Sequence, residues 1–287
     1  MADTSGQAKI RGLDIDKVVK GFADESFIFK NLIRQATTSA REIRWYQRTA
    51  GILEGTSPAD IDNVDFGAQP FSLEQSWTRN TSYVKKYFVE SPTISEEDIQ
   101  DADIDVLAGN LRDLTRAVAY QVDQRIWNVI TENQTADKIN TVSSTSPWDG
   151  SGQNPIDDIM NAKEKIRNNG YDPDMATLLL SPKDERSLMD WIISEKGANI
   201  PSYSNKKVES GAVNSILGLN VRVSTNVTDD YAAVMVGERA ATWKQFTPLK
   251  SMKIEDPGVG TKIRVLERGE CLLTDPKAVT LITDTQE

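Results

Sequence analysis

The sequence predicts an α+β fold organised around one long amphipathic helix, and three observations carry that prediction. From Asp103 to Asn133, Leu107, Leu111, Leu114, Val118, Val122, Ile126 and Val129 recur at spacings of three and four, with only Gly109 interrupting. After that helix the chain alternates helical and strand-like stretches, then reads as successive strands separated by Gly, Pro, Asn and Asp. A length of 287 residues exceeds what one compact core usually serves, so two intertwined subdomains are expected.

Composition narrows the function classes. With 38% hydrophobic and 26% charged residues the chain belongs with folded globular proteins rather than disordered ones. No run approaches the roughly 18 apolar residues needed to cross a bilayer, and Met1 to Arg11 lacks a signal peptide's apolar stretch. A cytoplasmic protein with no membrane partner is therefore expected. The formal charge is −10 with Lys and Arg scattered, which argues against sequence-specific nucleic-acid binding through a clustered basic face. There is no histidine, so the usual general base and the commonest metal ligand are both missing. The single cysteine, Cys271, cannot close an intrachain disulfide, and its alternating apolar neighbours place it in a buried strand.

Taken in order, residues 14–36 suit short helical pieces interrupted at Gly21, an arm more than a core. Ile43 to Ala50 and Ser82 to Val89 read as strands. Gly51 to Thr81 between them is far longer than a hairpin connection, and is rich in Ile52, Leu53, Ile61, Val64, Phe66, Phe71, Leu73 and Trp77 without periodicity. Such a segment is too apolar for a solvated linker and has no core of its own, so it should dock on something else. Ser95 before Glu96, Glu97 and Asp98 reads as a helix start. The 103–133 helix follows, a rod of about 46 Å at ~1.5 Å per residue. Beyond the Ser/Thr/Gly/Pro-rich stretch from Thr141 to Pro155, a helix is predicted over Ile156 to Asn169 with Gly170 as its stop. A strand over Ala176 to Leu180 runs into a helix capped by Ser181 and Pro182 that continues to Gly197. The remaining strands are Leu219 to Ser224, Tyr231 to Val236, Leu249 to Ile254, Ile263 to Leu273 and Ala278 to Ile282.

Motifs that could carry chemistry are incomplete. Asp101, Asp103 and Asp105 have calcium-loop spacing, but Val106 and Arg112 stand where glycine and a bidentate glutamate are needed. Gly258, Gly260 and Lys262 lack phosphate-loop spacing and read as a turn after Pro257. Ser204 with Lys207 lacks the partner motifs of a serine acyl-enzyme. The six tryptophans, at 45, 77, 127, 148, 191 and 243, read as core or interface anchors. No catalytic, cofactor-binding or metal-ligating residue is assigned.

The order of parts resembles the major capsid proteins of tailed phages, the Hong Kong 97-type family. The resemblance covers about Ile43 to Asp284. Its local echoes are Ile94 to Glu97 leading to the long helix with Asp123 near its end, "TLLLSPKD" from Thr177 to Asp184, "LGLNVRVS" from Leu217 to Ser224, and "DPKAVTLI" from Asp275 to Ile282. The resemblance implies an N-arm at 1–41 and an extended loop at 42–86. It further implies a peripheral domain at 87–170 with its spine helix at 103–133, an axial domain at 171–245, and strands at 246–287 that return to the peripheral domain. It also implies self-assembly as hexamers and pentamers of an icosahedral shell around viral double-stranded DNA held without sequence-specific contact. Separate scaffolding, portal and decoration proteins, assembly in the host cytoplasm and residence in the virion go with that reading. Phe66, Phe71, Leu73 and Trp77 are the expected assembly-interface residues.

Two departures from the founding member stand out. No lysine lies between Gly51 and Val84, so a covalent loop cross-link is not expected. Too few residues precede the arm to form a scaffolding segment, so scaffolding is expected from a separate or already removed piece. The same fold as an encapsulin shell around a cargo enzyme is the alternative, disfavoured because neither that family's compact loop nor its N-terminal helix is evident. A hydrolase working through paired carboxylates is a further class, requiring two acids in one concave pocket.

Overall fold

The computed structural model describes residues 27–48, 65–69, 77–97, 106–132, 139–150, 152–174, 176–194 and 213–287. In chain order the elements are β1 (Arg34–Thr37), β2 (Glu42–Arg48), β3 (Trp77–Tyr83), β4 (Lys85–Glu90), α1 (Val106–Thr131), β5 (Asn140–Ser143) and α2 (Pro155–Asn168). They continue with β6 (Thr177–Leu180), α3 (Pro182–Ser194), β7 (Ser215–Ile216), β8 (Leu219–Val223), β9 (Tyr231–Met235) and α4 (Gly237–Ala240). The last are β10 (Ala241–Asp256), β11 (Gly260–Leu273), a 3-10 turn (Pro276–Ala278) and β12 (Val279–Thr283).

Helix α1 spans 26 residues, about 39 Å of rod. It buries Leu111, Val118, Val122, Ile126 and Ile130 along one side, the stripe that the spacing of three and four predicts. Thr115 also lies on that side, and its hydroxyl is satisfied by donating to the Leu111 carbonyl at 2.7 Å. The predicted flanks at 103–105 and 133, with the acidic triplet Asp101, Asp103 and Asp105, lie outside the described residues. The helix expected after Ser95 is seen at Glu96 and Glu97, and its continuation lies outside them too.

Helix α1 packs on β11 and β4 of a four-stranded sheet ordered β1-β10-β11-β4. Strand β1 runs parallel to β10, and the other neighbours are antiparallel. Along β11, Ile263, Val265 and Glu267 are buried while Lys262, Arg264, Leu266 and Arg268 are partly open, the alternation of a one-sided strand. The ladder shifts register between Gln245 and Thr247 and between Thr247 and Lys250, where Pro248 has no N–H to contribute. Gly269 is required by close approach: a Cβ there would stand 2.5 Å from Cζ2 of Trp243. The hairpin joining β10 to β11 turns through Gly258 at φ +77, so the Gly258–Lys262 stretch is a turn and the start of a strand.

The second sheet has six strands, ordered β5-β12-β9-β6-β8-β7. Its central strands are buried on both faces, β6 throughout and β9 and β12 at four of five positions, which explains their near-continuous apolar runs. Helix α2 packs against β12 and β5, and α3 against β6. Ser181 caps α3 as predicted: its Oγ accepts the Asp184 N–H at 3.1 Å and its hydroxyl donates to the Asp184 carboxylate at 2.8 Å. Gly170, at φ +81, follows the end of α2. Cys271 is buried, and burial pushes its thiol's pKa up.

Several expectations are corrected. The strand predicted over Ser82 to Val89 is two strands, because the chain changes partner at Val84: β3 pairs with β2, while β4 pairs with β11. Trp77 to Thr81 belong to β3 and not to the loop. The helical reading of 14–36 fails over its described part, where 28–32 form a turn and Arg34–Thr37 a strand. The Ser/Thr-rich stretch contains β5, and the strand expected at Leu249 to Ile254 is part of a 16-residue β10. Strands β10 and β11 belong to the first sheet and β12 to the second.

Candidate assembly interface

Strands β2 and β3 form a two-stranded ribbon apart from both sheets, with Glu42 opposite Tyr83 and Arg48 opposite Trp77. An isolated pair of strands is marginal in water, so its root must be fixed elsewhere. Arg48 N–H donates to the Thr274 carbonyl at 3.0 Å, and buried Gln47 donates to the Leu273 carbonyl at 3.0 Å while accepting from Asn80 at 3.0 Å. Val84 N–H donates to the Arg41 carbonyl, and Ile43 is buried.

The register puts Tyr46, Arg48, Arg79, Trp77, Arg44 and Tyr83 on one ribbon face. Tyr46, Trp77 and Tyr83 are 61%, 50% and 66% exposed, and the Arg48 guanidinium lies 5.9 Å from the Trp77 ring. Of the four residues expected at an interface, Trp77 stands on this face. Phe66 stands in a separate turn, closed by the Ala68 N–H on the Asp65 carbonyl, with its ring fully exposed. Phe71 and Leu73 lie outside the described residues, as do 49–64 and Ser204 with Lys207. The sequence reading missed Tyr46, Tyr83 and the arginines, although period-two alternation along Glu42 to Arg48 puts Arg44, Tyr46 and Arg48 on one side.

A buried polar clasp fixes the segment that leads into the ribbon. Asp123, midway along the buried side of α1, accepts the backbone N–H groups of Ile28 at 2.6 Å, Phe29 at 3.2 Å and Lys30 at 3.1 Å. Burial nevertheless pushes its pKa up to about 6, outweighing those donors and the nearby Lys30 charge. Lys30 in turn pairs with Glu267 at 2.5 Å, both buried, with the ammonium 4.2 Å from the centre of the Phe27 ring. Arg125 of α1 pairs with buried Glu270 at 2.7 Å. Phe29 stacks on Trp127 at 5.9 Å. Helix α1, the 28–32 turn and β11 are thereby bolted together near the ribbon's root. The acids are held by cations or by amides within the packed core, a structural arrangement.

Residues 84–281 match the family described as phage capsid protein. Among solved structures the chain is similar to the capsid of cyanophage P-SCSP1u, at TM-score 0.67 and 13% identity over 91% of this chain and 89% of that one. It is similar to a structure from Mycobacterium phage Che8, at TM-score 0.65 and 16% identity over 91% and 92%. A virus-like particle from Pyrococcus furiosus is similar too, at TM-score 0.61 and 10% identity over 94% and 98%. No curated protein matches the sequence. The fold is the α+β capsid fold of the Hong Kong 97 type, and the family match spans more than half of the residues; the chain belongs to the phage capsid protein family and is a structural shell protein.

Proposed function

We propose that the chain is the major capsid subunit of a tailed virus, assembling as hexamers and pentamers into an icosahedral shell that encloses double-stranded DNA without reading its sequence. The observation that carries this reading is the ribbon and what it presents: an aromatic and arginine face with a fully exposed Phe66 in the segment between its strands, apolar surface that the subunit leaves unburied. In this reading 1–41 is the arm, 42–86 the extended loop, 87–170 the peripheral domain, 171–245 the axial domain and 246–287 the return. Phe66, Phe71, Leu73 and Trp77 contact the neighbouring subunit. Scaffolding, portal and decoration proteins act from outside the chain, and assembly takes place in the host cytoplasm. With no lysine from Gly51 to Val84, the loop makes no isopeptide cross-link.

A second reading, a shell around a protein cargo, is favoured by one observation, the likeness to the Pyrococcus furiosus virus-like particle over nearly the full length of both chains. Shells recovered with a cargo protein in place of nuclease-protected duplex DNA would support it.

The central test replaces Leu53 to Leu73 with a short Gly/Ser connection. If the segment belonged to the subunit's own core, losing its apolar side chains at roughly 1.5 to 3 kcal/mol each would unfold the monomer. The expected result is unchanged circular dichroism and melting temperature with no closed particles in negative stain. Normal shells, or an unfolded monomer, would each reject the assignment.

A further inference from the structure

The Leu217 to Ser224 stretch belongs neither to the ribbon nor to the clasp, and its first two residues form the turn of the β7–β8 hairpin in the six-stranded sheet. Ile216 pairs with Leu219, so Leu217 and Gly218 are the two central residues, at φ 49 and φ 80. Positive φ at both positions makes this a turn of the primed kind, whose first central residue is ordinarily Asn, Asp or Gly. A leucine there is crowded by its own Cβ, and such strain persists only where the surroundings impose it. Lys163 of α2 imposes it: its side chain is only 16% exposed, and Nζ donates to the Leu217 carbonyl at 2.8 Å. The same ammonium lies 3.8 Å from Asp174, which pairs with Arg167 at 2.8 Å. Held in this way, the turn points its leucine outward. Leu217 is 39% exposed while Ile216 and Leu219 on either side are buried. Met160, one helical turn before Lys163 on α2, is 47% exposed, and neither it nor Leu217 packs into the apolar core. An asparagine would relieve the backbone and leave the turn polar, so the isolated subunit gains nothing from leucine here.

We infer that Leu217 and Met160 form an apolar contact that a second copy of this chain covers in the assembled shell, at a place separate from the ribbon. The size of the spot selects the occupant. Two side chains bury far less than the roughly 1,000 Å² that a specific complex needs, so the spot cannot retain a partner by itself and acts only between molecules already held together. Copies of a subunit of the phage capsid protein family meet that condition. The inference rests on the proposed capsid function and adds a second contact to it.

The test uses the full-length chain, purified without other proteins, as the parent and as Leu217→Asn, Leu217→Met and Met160→Lys. Asparagine tolerates the left-handed turn, so the urea midpoint of the unassembled Leu217→Asn subunit should equal or exceed that of the parent. The subunit concentration at which light scattering reports assembly should nevertheless rise about tenfold, since burial of a leucine side chain is lost. Met160→Lys should show the same rise with unchanged unfolding, whereas Leu217→Met keeps the apolar volume and should assemble as the parent does. Assembly of Leu217→Asn at the parent's concentration, or an equal loss in Leu217→Met, would overturn the inference. A lower urea midpoint for Leu217→Asn would overturn it as well, by placing the leucine in the subunit's own packing. A parent that never assembles would reject the capsid function and this contact with it, whereas variants that assemble normally beside an assembling parent reject the contact alone.

Discussion

Replacing Lys30 with methionine tests the clasp at the ribbon's root. The substitution keeps the apolar stem of the side chain against Phe27 and Trp243 and removes the ammonium that lies 2.5 Å from Glu267. Glu267 is fully buried, and its other carboxylate oxygen has no partner among the described residues, so the charge is left in the core uncompensated. Breaking a buried pair on one side costs about 3 to 5 kcal/mol, most of it the desolvated charge left behind. For a chain of this length that corresponds to a fall in melting temperature of roughly 5 to 8 °C. The assay is urea unfolding of the unassembled subunit. Adding Glu267→Gln to Lys30→Met should recover much of the loss, because the amide replaces a charge. A single variant within about 1 kcal/mol of the parent, or a double variant no better than the single, would refute the claim that this pair anchors the 28–32 turn.

Two further outcomes are expected. Burial raises the pKa of Asp123 to about 6, and likewise raises those of Asp184, Glu270 and Asp275. A raised folded-state pKa means that folding takes up protons: the contribution is present below the ordinary carboxylate range and is lost as pH rises through about 6. The unassembled subunit should therefore be more stable at pH 5 than at pH 7.5, with Asp123 contributing about 1.4 kcal/mol of the difference; a urea midpoint that falls steadily from pH 7.5 to pH 5 would contradict this. Gly269→Val should destabilise by about 1 to 3 kcal/mol, because its Cβ meets the Trp243 ring at 2.5 Å and 2.7 Å and the packed sheet cannot retreat freely. An unchanged melting curve would show that the ring gives way.

The parts of the fold that were legible in the sequence are those where one element buries one face by itself. The stripe from Leu107 to Val129 needs no knowledge of its partner, and Ser181 with Pro182 announces α3 through groups that close on each other locally. What the sequence hid depends on neighbours far along the chain. Val84 looks like a continuing strand, since nothing in Tyr83-Val84-Lys85 records that the hydrogen-bonding partner changes from β2 to β11. Strand β5 is four residues whose Asn, Thr and Ser mask a pairing with β12. Asp123 sits beside Val122 on the buried side of α1, a lone acid that invites a search for a donor, but the donors are amides some 95 residues earlier. Trp77 was singled out by its residue type, while Tyr46 and Tyr83 joined it only when the ribbon's register placed them on the same face.

Strand β12 lies between β5 and β9, pairing Thr280 with both Asn140 and Val234, and among the described residues β5 has no other strand neighbour. During translation the second sheet therefore cannot close as its strands emerge. Strand β5 and the helix after it wait until β12 is made, and the edge of apolar β9 stays unpaired meanwhile. The delay ties closure of this sheet to synthesis of Val279–Thr283. A polypeptide released before Val279 lacks the strand that joins β5 to the rest of this sheet, and β5 is then left without a partner among the described strands.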